Sequence, residues 1–560
     1  MGSTGRAATS SKKPITPVSG PGSATSTSPI SASSNEATTA TAPPRWRSMV
    51  RWAMMPSGTT RGERASPTSS RSTTSQSYAT QHLSNGFIYA AVFALIVGTR
   101  ASVFVGVPSG VAVLLRAIGI GAALCALRGQ FRRWFFVCLL IVGIAGGTSS
   151  LHHAQSPQLG AYQGAAKIME DPQWRNGAVQ CVLSIEGQRF IVYAYGLEGR
   201  RLNGRQVGEV VSVSALRQRL DSGKLSRYRS RHIVGLATLI SVSETAGAGA
   251  PLFRSANRLR GVLQKSTRFM PYEEASLYMG LLIGDDREQT KEMIAAFRGS
   301  GLSHLTAVSG QNVAFLLAVA APLLVRAKSR WRLIATIFLL GWFVVLTRAE
   351  PSVIRATAMA ALSAYGVARG RDVPPMRILA IALGALLLID PLIAWSVGFW
   401  MSSFATAGLI VLTPIIAKFL LGPPWLSGAL STTLGAQLGV MPITLFVFGS
   451  APIVAIATNL LAVPIAGAVM LVGLPMGLVV GMLSEVSLMS PVCGLLMLPI
   501  TFAVRWVWWV AVIGESVQPG GLVNAALWLI MVCLAICWCF FLARRTHLTE
   551  WGSDDLPNYG

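Results

Sequence analysis

Apolar runs of about 18 residues or more recur along most of this 560-residue chain, and they constrain its fold more than any other feature. A run of that length can cross about 30 Å of hydrocarbon as a single helix. The composition agrees, because 52% of the residues are hydrophobic and only 12% are charged, against roughly 25% charged in a soluble domain. The sequence therefore predicts a polytopic α-helical membrane protein with about 11 to 13 membrane segments.

The predicted membrane segments form two groups separated by a polar insert. Residues 86–150 contain three transmembrane helices, and residues 301–513 form the main membrane domain, followed by a last transmembrane helix and short tail over 514–560. The individual segments are expected near 86–106, 108–127, 134–150, 304–325, 333–348, 353–368, 376–392, 395–413, 430–449, 452–467, 468–484, 490–512 and 522–543.

The distribution of positive charge predicts an orientation. Residues 1–81 are rich in Ser, Thr, Pro and Ala with scattered Arg and Lys, which is typical of a disordered basic N-terminal tail. Arginines and lysines also cluster in the loops after the second, fourth and sixth segments. The positive-inside rule puts the tail and these loops in the cytoplasm and residues 151–270 outside. The side of the C-terminus stays open.

The insert over 151–270 has a different pattern from its surroundings. Short runs rich in Val, Ile and Tyr alternate with turn residues such as Glu186-Gly187 and Asn203-Gly204, which predicts a small extracytoplasmic β domain of the OB-like type. Residues 271–300 then predict two amphipathic helices, Tyr272–Ile283 and Glu288–Phe297, lying at the membrane surface or capping a vestibule.

The insert carries a dense set of basic residues with few acids. Such a surface attracts an acidic polymer such as DNA, and Tyr193, Tyr195 and Tyr228 could stack on bases. A solvated basic loop near anionic lipid headgroups explains the charge equally well. The candidate DNA-binding residues are Arg200, Arg201, Arg205, Arg217, Arg219, Lys224, Arg227, Arg229 and Arg231.

Polar residues also interrupt the apolar segments. Arg355 is costly in hydrocarbon and should face an acid, water or a polar substrate, with Asp390 as one candidate partner. Each polar residue alone is explained by helix–helix hydrogen bonding. Together, beside helix-breaking prolines, they indicate a lined conduit. The candidate lining residues are His304, Ser309, Gln311, Asn312, Arg355, Asp390, Ser402, Gln437 and Asn459.

The sequence contains little that indicates a catalytic site or a cofactor-binding site. Ser309-Gly310 resembles the nucleophile segment of rhomboid-type intramembrane proteases, but His304 lies five residues earlier, on a poor helical face for a base. No metal-ligand pattern and no phosphate-binding Gly-rich loop is present. We therefore expect neither an enzyme nor a metal or other cofactor.

The motifs taken together resemble those of ComEC competence proteins. Leu282-Ile-Gly-Asp285 and Gly301-Leu-Ser-His-Leu-Thr-Ala-Val-Ser-Gly310 are followed in order by five further landmarks. These are Ser352-Val-Ile-Arg-Ala356, Asp390-Pro391, Gly398-Phe-Trp-Met-Ser402, Gln437 before Pro442 with Phe448-Gly449, and Asn459-Leu-Leu-Ala-Val-Pro464. The resemblance covers roughly residues 271–513.

The resemblance implies a multi-pass channel in the bacterial inner membrane that imports single-stranded DNA in natural transformation. It also implies an insert that contacts DNA and a cytoplasmic helicase-like ATPase as partner. Many relatives have Leu-His where this chain has Gln311-Asn312, so no role of that His carries over. We see no metallo-β-lactamase-like segment, so a separate nuclease is expected. A homo-oligomer is left open.

Two other classes of function remain open from the residues. A transporter or flippase of another anionic substrate would use the same basic insert. A structural membrane scaffold would not depend on Arg355 or Asn459 for function. Binding of oligonucleotides that weakens steeply with salt separates the DNA hypothesis from the first alternative.

Overall fold

The computed structural model describes residues 84–105, 108–128, 132–175, 177–420 and 422–531, together with 533, 534 and 537. The predicted N-terminal tail over 1–81 lies outside these residues, as does most of the tail after 531. The described part is mostly helical with one small β barrel. The helices outside the barrel are α1 Asn85–Ala101, α2 Ser109–Arg128, α3 Arg132–Gln155, α6 Pro251–Ser266, α7 Tyr272–Ile283, α8 Lys291–Gly299, α9 Ser303–Thr306, α10 Gly310–Val325, α11 Ser329–Leu346, α12 Pro351–Ala368, α13 Pro375–Ile389, α14 Val397–Phe419, α15 Pro424–Phe448, α16 Ala455–Ala468, α17 Leu474–Leu483, α18 Ser490–Val517 and α19 Gly521–Met531.

The helices identify a multi-pass membrane protein. Among the described residues, six stretches are long and apolar enough to cross a membrane, and five shorter helices are also apolar. The six are Trp134–His152, Ser329–Leu346, Val397–Phe419, Pro424–Phe448, Ala455–Leu483 and Ser487–Val517. One expectation is wrong: 452–467 and 468–484 are not separate spans. The single π turn Val469–Gly473 joins α16 and α17 without a break in the helix, because no polar loop separates them.

The prediction of two surface helices over 271–300 is also wrong for α7. Its residues Glu274–Ile283 are all buried, and they belong to the main core formed with α16 and α18. A helix that is apolar around its whole circumference is stable only when surrounded. Its single buried acid, Glu274, accepts a 2.5 Å hydrogen bond from Arg505 of α18.

The insert folds into a small β barrel. Its strands are β1 Gly160–Ile168, β2 Gln173–Arg175, β3 Ala178–Ile185, β4 Gln188–Ala194, β5 Val210–Arg219 and β6 Ile233–Gly247, with short helices α4 Gly196–Asn203 and α5 Ser222–Tyr228. The sheet order is β1-β5-β6-β4-β3-β2, and β1 also pairs with β3, which closes five strands into a ring. Only β4 and β6 pair in parallel. Alternate residues fill the interior, as strand geometry requires.

The barrel ends earlier than the predicted boundary at residue 270. Residues 251–266 form α6, an amphipathic helix that packs against α17 and α11 and also contacts the barrel, through Phe253 and through a hydrogen bond from Asn257 to the carbonyl of Val207. The apolar face of α6 includes Ala256 and Leu263, with Arg260 between them. A charged residue at that position needs a partner inside the protein.

Five charged residues join the barrel to the membrane helices. This ionic junction consists of Asp171 after β1, Arg260 of α6, Asp285 and Arg287 after α7, and Arg348 after α11. Arg260 Nη2 lies 2.8 Å from Asp285 Oδ2 and 3.4 Å from Asp171 Oδ2. Arg348 contacts both oxygens of Asp171, at 2.8 and 3.0 Å, and Arg287 contacts both oxygens of Asp285, at 2.7 and 2.6 Å.

The junction is buried, and the charges hold one another ionised. The side chains of Arg260, Asp171 and Asp285 are 4%, 7% and 8% exposed. Burial alone would raise the pKa of Asp171, but Arg348, Arg260 and Arg287 outweigh it and hold that pKa below its ordinary value. Burial would also raise the pKa of Asp285, but Arg287 and Arg260 outweigh it and hold that pKa below its ordinary value.

Replacing Asp171 should destabilise the whole assembly. Asp171→Asn leaves Arg348 and Arg260 without one of their carboxylates, and breaking a buried pair in this way costs about 3 kcal/mol. We expect a lower thermal unfolding midpoint for the detergent-solubilised chain. Asp221→Asn is the matched control, since Asp221 is exposed and its side chain makes no cap hydrogen bond. Equal midpoints for both variants would contradict the assignment.

The junction also predicts a pH dependence. The folded-state pKa values of Asp171 and Asp285 are lowered, so their stabilisation is fully present above the unfolded pKa of about 3.9 and is lost as pH falls through the lower folded values. The difference in unfolding midpoint between the wild type and Asp171→Asn should stay constant from about pH 8 to pH 5 and shrink only below about pH 4. A difference that disappears near neutral pH would show that these carboxylates are not ion-paired.

Candidate functional site

The N-terminus of α10 is built by a capping box. Ser309 Oγ accepts a hydrogen bond from Gln311 N at 3.2 Å, and Asn312 Oδ1 accepts from Ser309 N and Oγ at 3.4 and 3.1 Å. Asn312 Nδ2 donates to the carbonyl oxygens of Leu281 and Leu282 at 3.0 and 3.4 Å. Asn312 therefore ties α10 to the end of α7, which is a structural role the sequence did not reveal.

The two signature motifs pack directly against each other at this point. Gly284 ends α7 with φ of 67°, and a Cβ there would lie 2.1 Å from Val308 Cγ2. Only glycine allows both the left-handed backbone and that approach. The hydroxyl of Ser352 donates to the carbonyl of Val308, which brings the start of α12 to the same loop.

Arg355 of α12 lies beside α10 and α14. Its Nε and Nη2 donate to Ser402 Oγ at 3.0 and 2.7 Å, and its Nη1 lies 3.1 Å from Met359 Sδ. A Cβ on Gly310 would lie 3.4 Å from Arg355 Nη2. The structure thus brings together two of the predicted lining residues, Arg355 and Ser402, beside Gly310 at the start of α10.

Asp390 is not the partner of Arg355. It ends α13, accepts from Leu392 N at 3.0 Å and lies 2.9 Å from His232 Nε2 of the barrel. The sequence pairing failed because Asp390 is held by the turn that follows α13, Pro391–Trp395, and that turn packs against the barrel. Asp390 belongs to the contact between barrel and membrane helices.

The other predicted lining residues are dispersed. His304 is exposed on α9, and the Ser309 hydroxyl is engaged in the cap. Gln437 is partly buried on α15. Asn459 of α16 is 8% exposed, and its Oδ1 is buried without a hydrogen-bond partner among the described residues. Gln311 lies beside Gly467, at 3.7 Å from the position of a Cβ there.

The basic set of the barrel divides into engaged and exposed residues. Arg201 pairs with Glu198 at 2.9 Å, Arg217 pairs with Glu186 at 2.6 Å, and Arg231 pairs with Glu170. Arg205 is partly buried, and Arg229 lies over the Trp395 ring at 5.5 Å. The exposed members are Arg200 on α4 and a group at the end of β5 and on α5, namely Arg219, Lys224 and Arg227.

The three predicted tyrosines lie together beside this exposed group. Tyr193 and Tyr228 are in hydrogen-bonding reach of each other and share a small apolar cluster on the outside of the barrel. Burial, with the neighbouring Tyr228 and Tyr195, raises the pKa of Tyr193. Tyr195 is 65% exposed. We call Tyr193, Tyr195, Tyr228, Arg219, Lys224 and Arg227 the aromatic–basic face.

This face continues to the membrane helices. Tyr193 pairs in register with Gln180, and Gln180 with Gln173, so the three side chains form one row across β4, β3 and β2. Gln173 Nε2 donates a 2.9 Å hydrogen bond to Asp286 Oδ1, in the loop that follows α7. Trp174, next to Gln173, is 49% exposed.

The sequence reasoning missed the residues that fix the barrel in place. Asp171, Arg260 and Arg348 of the ionic junction lie more than 80 residues apart pairwise, so no local motif joins them. The one available signal was Arg260 on the apolar face of α6. Arg100 of α1 was also missed; it lies over Trp395 at 5.6 Å and donates to Ala394 O at 3.3 Å.

In the described ranges, no group of three or more His, Cys, Asp or Glu residues is arranged to hold a metal ion.

Comparison with known proteins agrees with the signature motifs. The competence protein family matches residues 281–545. The uncharacterized protein YcaI of Escherichia coli is 29% identical over 218 residues, 36% of this chain and 28% of that protein. ComE operon protein 3 of Bacillus subtilis is 27% identical over 206 residues, 36% of this chain and 26% of that protein.

The matched region thus spans only about a quarter of the length of each relative. No solved structure matches the chain. The family match begins within α7 and includes the packed signature residues Gly284, Ser309 and Arg355. Residues 281–545 of this chain therefore match the competence protein family.

Proposed function

We propose that the chain is a bacterial inner-membrane channel that conducts single-stranded DNA inward during natural transformation. The observation that carries the proposal is the position of the aromatic–basic face. It lies on a barrel that is fixed by the ionic junction to the region that matches the competence protein family. Exposed cations attract phosphates and tyrosines offer stacking surfaces, which together suit a single strand without sequence preference.

The barrel is proposed to be an OB-like domain. Five closed strands with a Greek-key connection, in the order β1-β5-β6-β4-β3, support this assignment. We propose that it lies outside the cytoplasm and the N-terminus inside, since that orientation leaves the Arg-rich loops after α2, α10 and α12 in the cytoplasm.

The route through the membrane is proposed to run past the polar positions of α10, α12 and α14. Arg355, Ser402 and the start of α10 supply polar groups within an otherwise apolar helix bundle. Gln437 and Asn459 are proposed to line it further along. The unpartnered Oδ1 of Asn459 supports this role, because a buried acceptor without a partner is costly unless a ligand or water satisfies it.

The channel is proposed to act without chemical catalysis of its own. A cytoplasmic helicase-like ATPase would then supply the driving force, and a separate nuclease would degrade the other strand. Both partners follow from the resemblance to competence proteins, as does DNA as the substrate.

The function is tested most simply by deletion. In a transformable host, we expect loss of the gene to abolish uptake of fluorescently labelled DNA into the cytoplasm and to reduce transformants to background, with restoration by the full chain. Normal uptake in the deletion strain would refute the proposal.

The aromatic–basic face generates a binding prediction. The triple variant Arg219→Ala, Lys224→Ala, Arg227→Ala should weaken binding of a labelled oligo-dT to the full chain. The slope of log affinity against log salt should fall by about 2, because each lost single-strand phosphate contact contributes about 0.7.

The matched control removes the same charge elsewhere. Arg254, Arg258 and Arg268 are exposed on and just after α6, and their triple Ala variant should bind like the wild type. If both triple variants lose affinity equally, binding reflects net charge rather than this face. Absence of any oligo-dT binding by the wild type at low salt would favour another anionic substrate.

A further inference from the structure

Arg355 and Arg260 are the deeply buried arginines among the described residues, and Arg355 differs in having no counter-charge. Arg260 is 3% exposed and lies against two carboxylates, at 2.8 and 3.4 Å. Arg355 is 4% exposed, yet its partners are the hydroxyl of Ser402 and the sulfur of Met359, both neutral. Within the described ranges, Arg355 forms no ion pair. Its positive charge is buried among membrane helices without compensation.

The N-terminus of α10 adds to the excess of positive charge around Arg355. The first residue of α10, Gly310, lies so close that its Cβ would be 3.4 Å from Arg355 Nη2. The N-terminus of a 16-residue helix carries a partial positive charge. The buried guanidinium therefore lies beside a partly buried helix N-terminus, and an anion between them would stabilise both.

We propose that Arg355, oriented by Ser402, binds the phosphodiester groups of the DNA strand one after another inside the membrane. The inference rests on the proposed function and identifies where the strand's charge is compensated in the conduit. Ser402 occupies Nε and Nη2 from one side, which fixes the plane of the guanidinium. Nη1 and Nη2 each keep one further N–H, and these two donors suit the two free oxygens of a phosphate.

The charge balance of the site also favours passage of the strand over tight, lasting binding. A phosphodiester carries one negative charge, and Arg355 supplies one positive charge. A single cation attracts the strand inward without holding it, which conduction requires. The buried Arg260 is already neutralised by its two aspartates and leaves no charge for a ligand.

Transport by charge variants tests the site. Arg355→Gln keeps hydrogen-bonding capacity and loses the charge, and it should lower uptake per molecule of membrane-inserted protein by about tenfold or more. Arg355→Lys keeps the charge and should retain a larger part of the uptake. Arg369→Gln is the control, because Arg369 follows the other end of α12 and is exposed.

The results separate this inference from the proposed function. If Arg355→Gln takes up DNA like the wild type while the deletion strain does not, the phosphate site is wrong and the channel stands. If the deletion strain is normal, the function itself is wrong. If the Arg355→Gln protein does not accumulate in the membrane, the comparison is made between the wild type and Arg355→Lys.

The charge of the DNA backbone can be varied to separate phosphate binding from a structural role of Arg355. A purely structural role would not make uptake depend on that charge through Arg355. Uptake of an oligonucleotide with a run of neutral methylphosphonate linkages should be slowed in the wild type, relative to the all-phosphate strand, and the slowing should be smaller in Arg355→Gln, which has no positive charge at this position. Equal slowing in both would mean that Arg355 does not read phosphate charge.

The source of the phosphate is tested on the purified full chain in neutral detergent. Oligo-dT should raise the thermal unfolding midpoint of the wild type more than that of Arg355→Gln. An Arg355-dependent rise with phosphatidylglycerol or inorganic phosphate but none with oligo-dT would assign the site to a lipid headgroup or free anion and overturn the proposal.

Discussion

The ionic junction is the contact on which the arrangement of barrel and membrane helices depends. Its three arginines and two aspartates come from the loop after β1, from α6, and from the loops that follow α7 and α11. Removing such charges from water is costly, and the cost is repaid only when every partner is present in good geometry. The junction therefore specifies one position of the barrel, because any shift would leave a buried charge unpaired.

That fixed position connects the two parts of the proposed path. The row of side chains from Tyr193 to Gln173 ends at Asp286, one residue after the junction residue Asp285. Asp285 in turn follows Gly284, against which Val308 packs at the start of α10. The signature residues Gly284 and Asp285, together with Asn312, thus have mainly structural roles. Their packing sets the location of Gly310 and, through it, the surroundings of Arg355.

Local patterns predicted much of the fold. Apolar runs indicated most of the membrane helices, and alternating Val, Ile and Tyr between turns indicated strands that the structure contains. The errors arose where packing decides. Residues 272–283 are apolar around the helix and became core rather than surface. The segments on either side of 468 had no polar break and became one helix.

The candidate site was only partly predictable, for the same physical reason. Arg355 and Ser402 stand out as polar residues in apolar segments, and they meet in the structure. Which residues contact each other depends on their proximity in three dimensions, which the sequence does not show. Asp390 was therefore wrongly suggested as the partner of Arg355, and it lies beside His232 instead. Asp171, Arg260 and Arg348 carry no common motif, and only the fold brings them together. Among the basic residues, charge alone could not separate Arg217, which is ion-paired, from Arg219, which is exposed.

The central claim is that one path runs from the aromatic–basic face of the barrel to the polar groups of α10, α12 and α14. The most direct measurement is photo-crosslinking of a DNA strand arrested in transit by a bulky end group, with crosslinked peptides identified by mass spectrometry. The account predicts crosslinks both near Tyr228 and within α10 or α12 on the same arrested strand. Crosslinks confined to the barrel, or found only on other faces of the membrane helices, would contradict it.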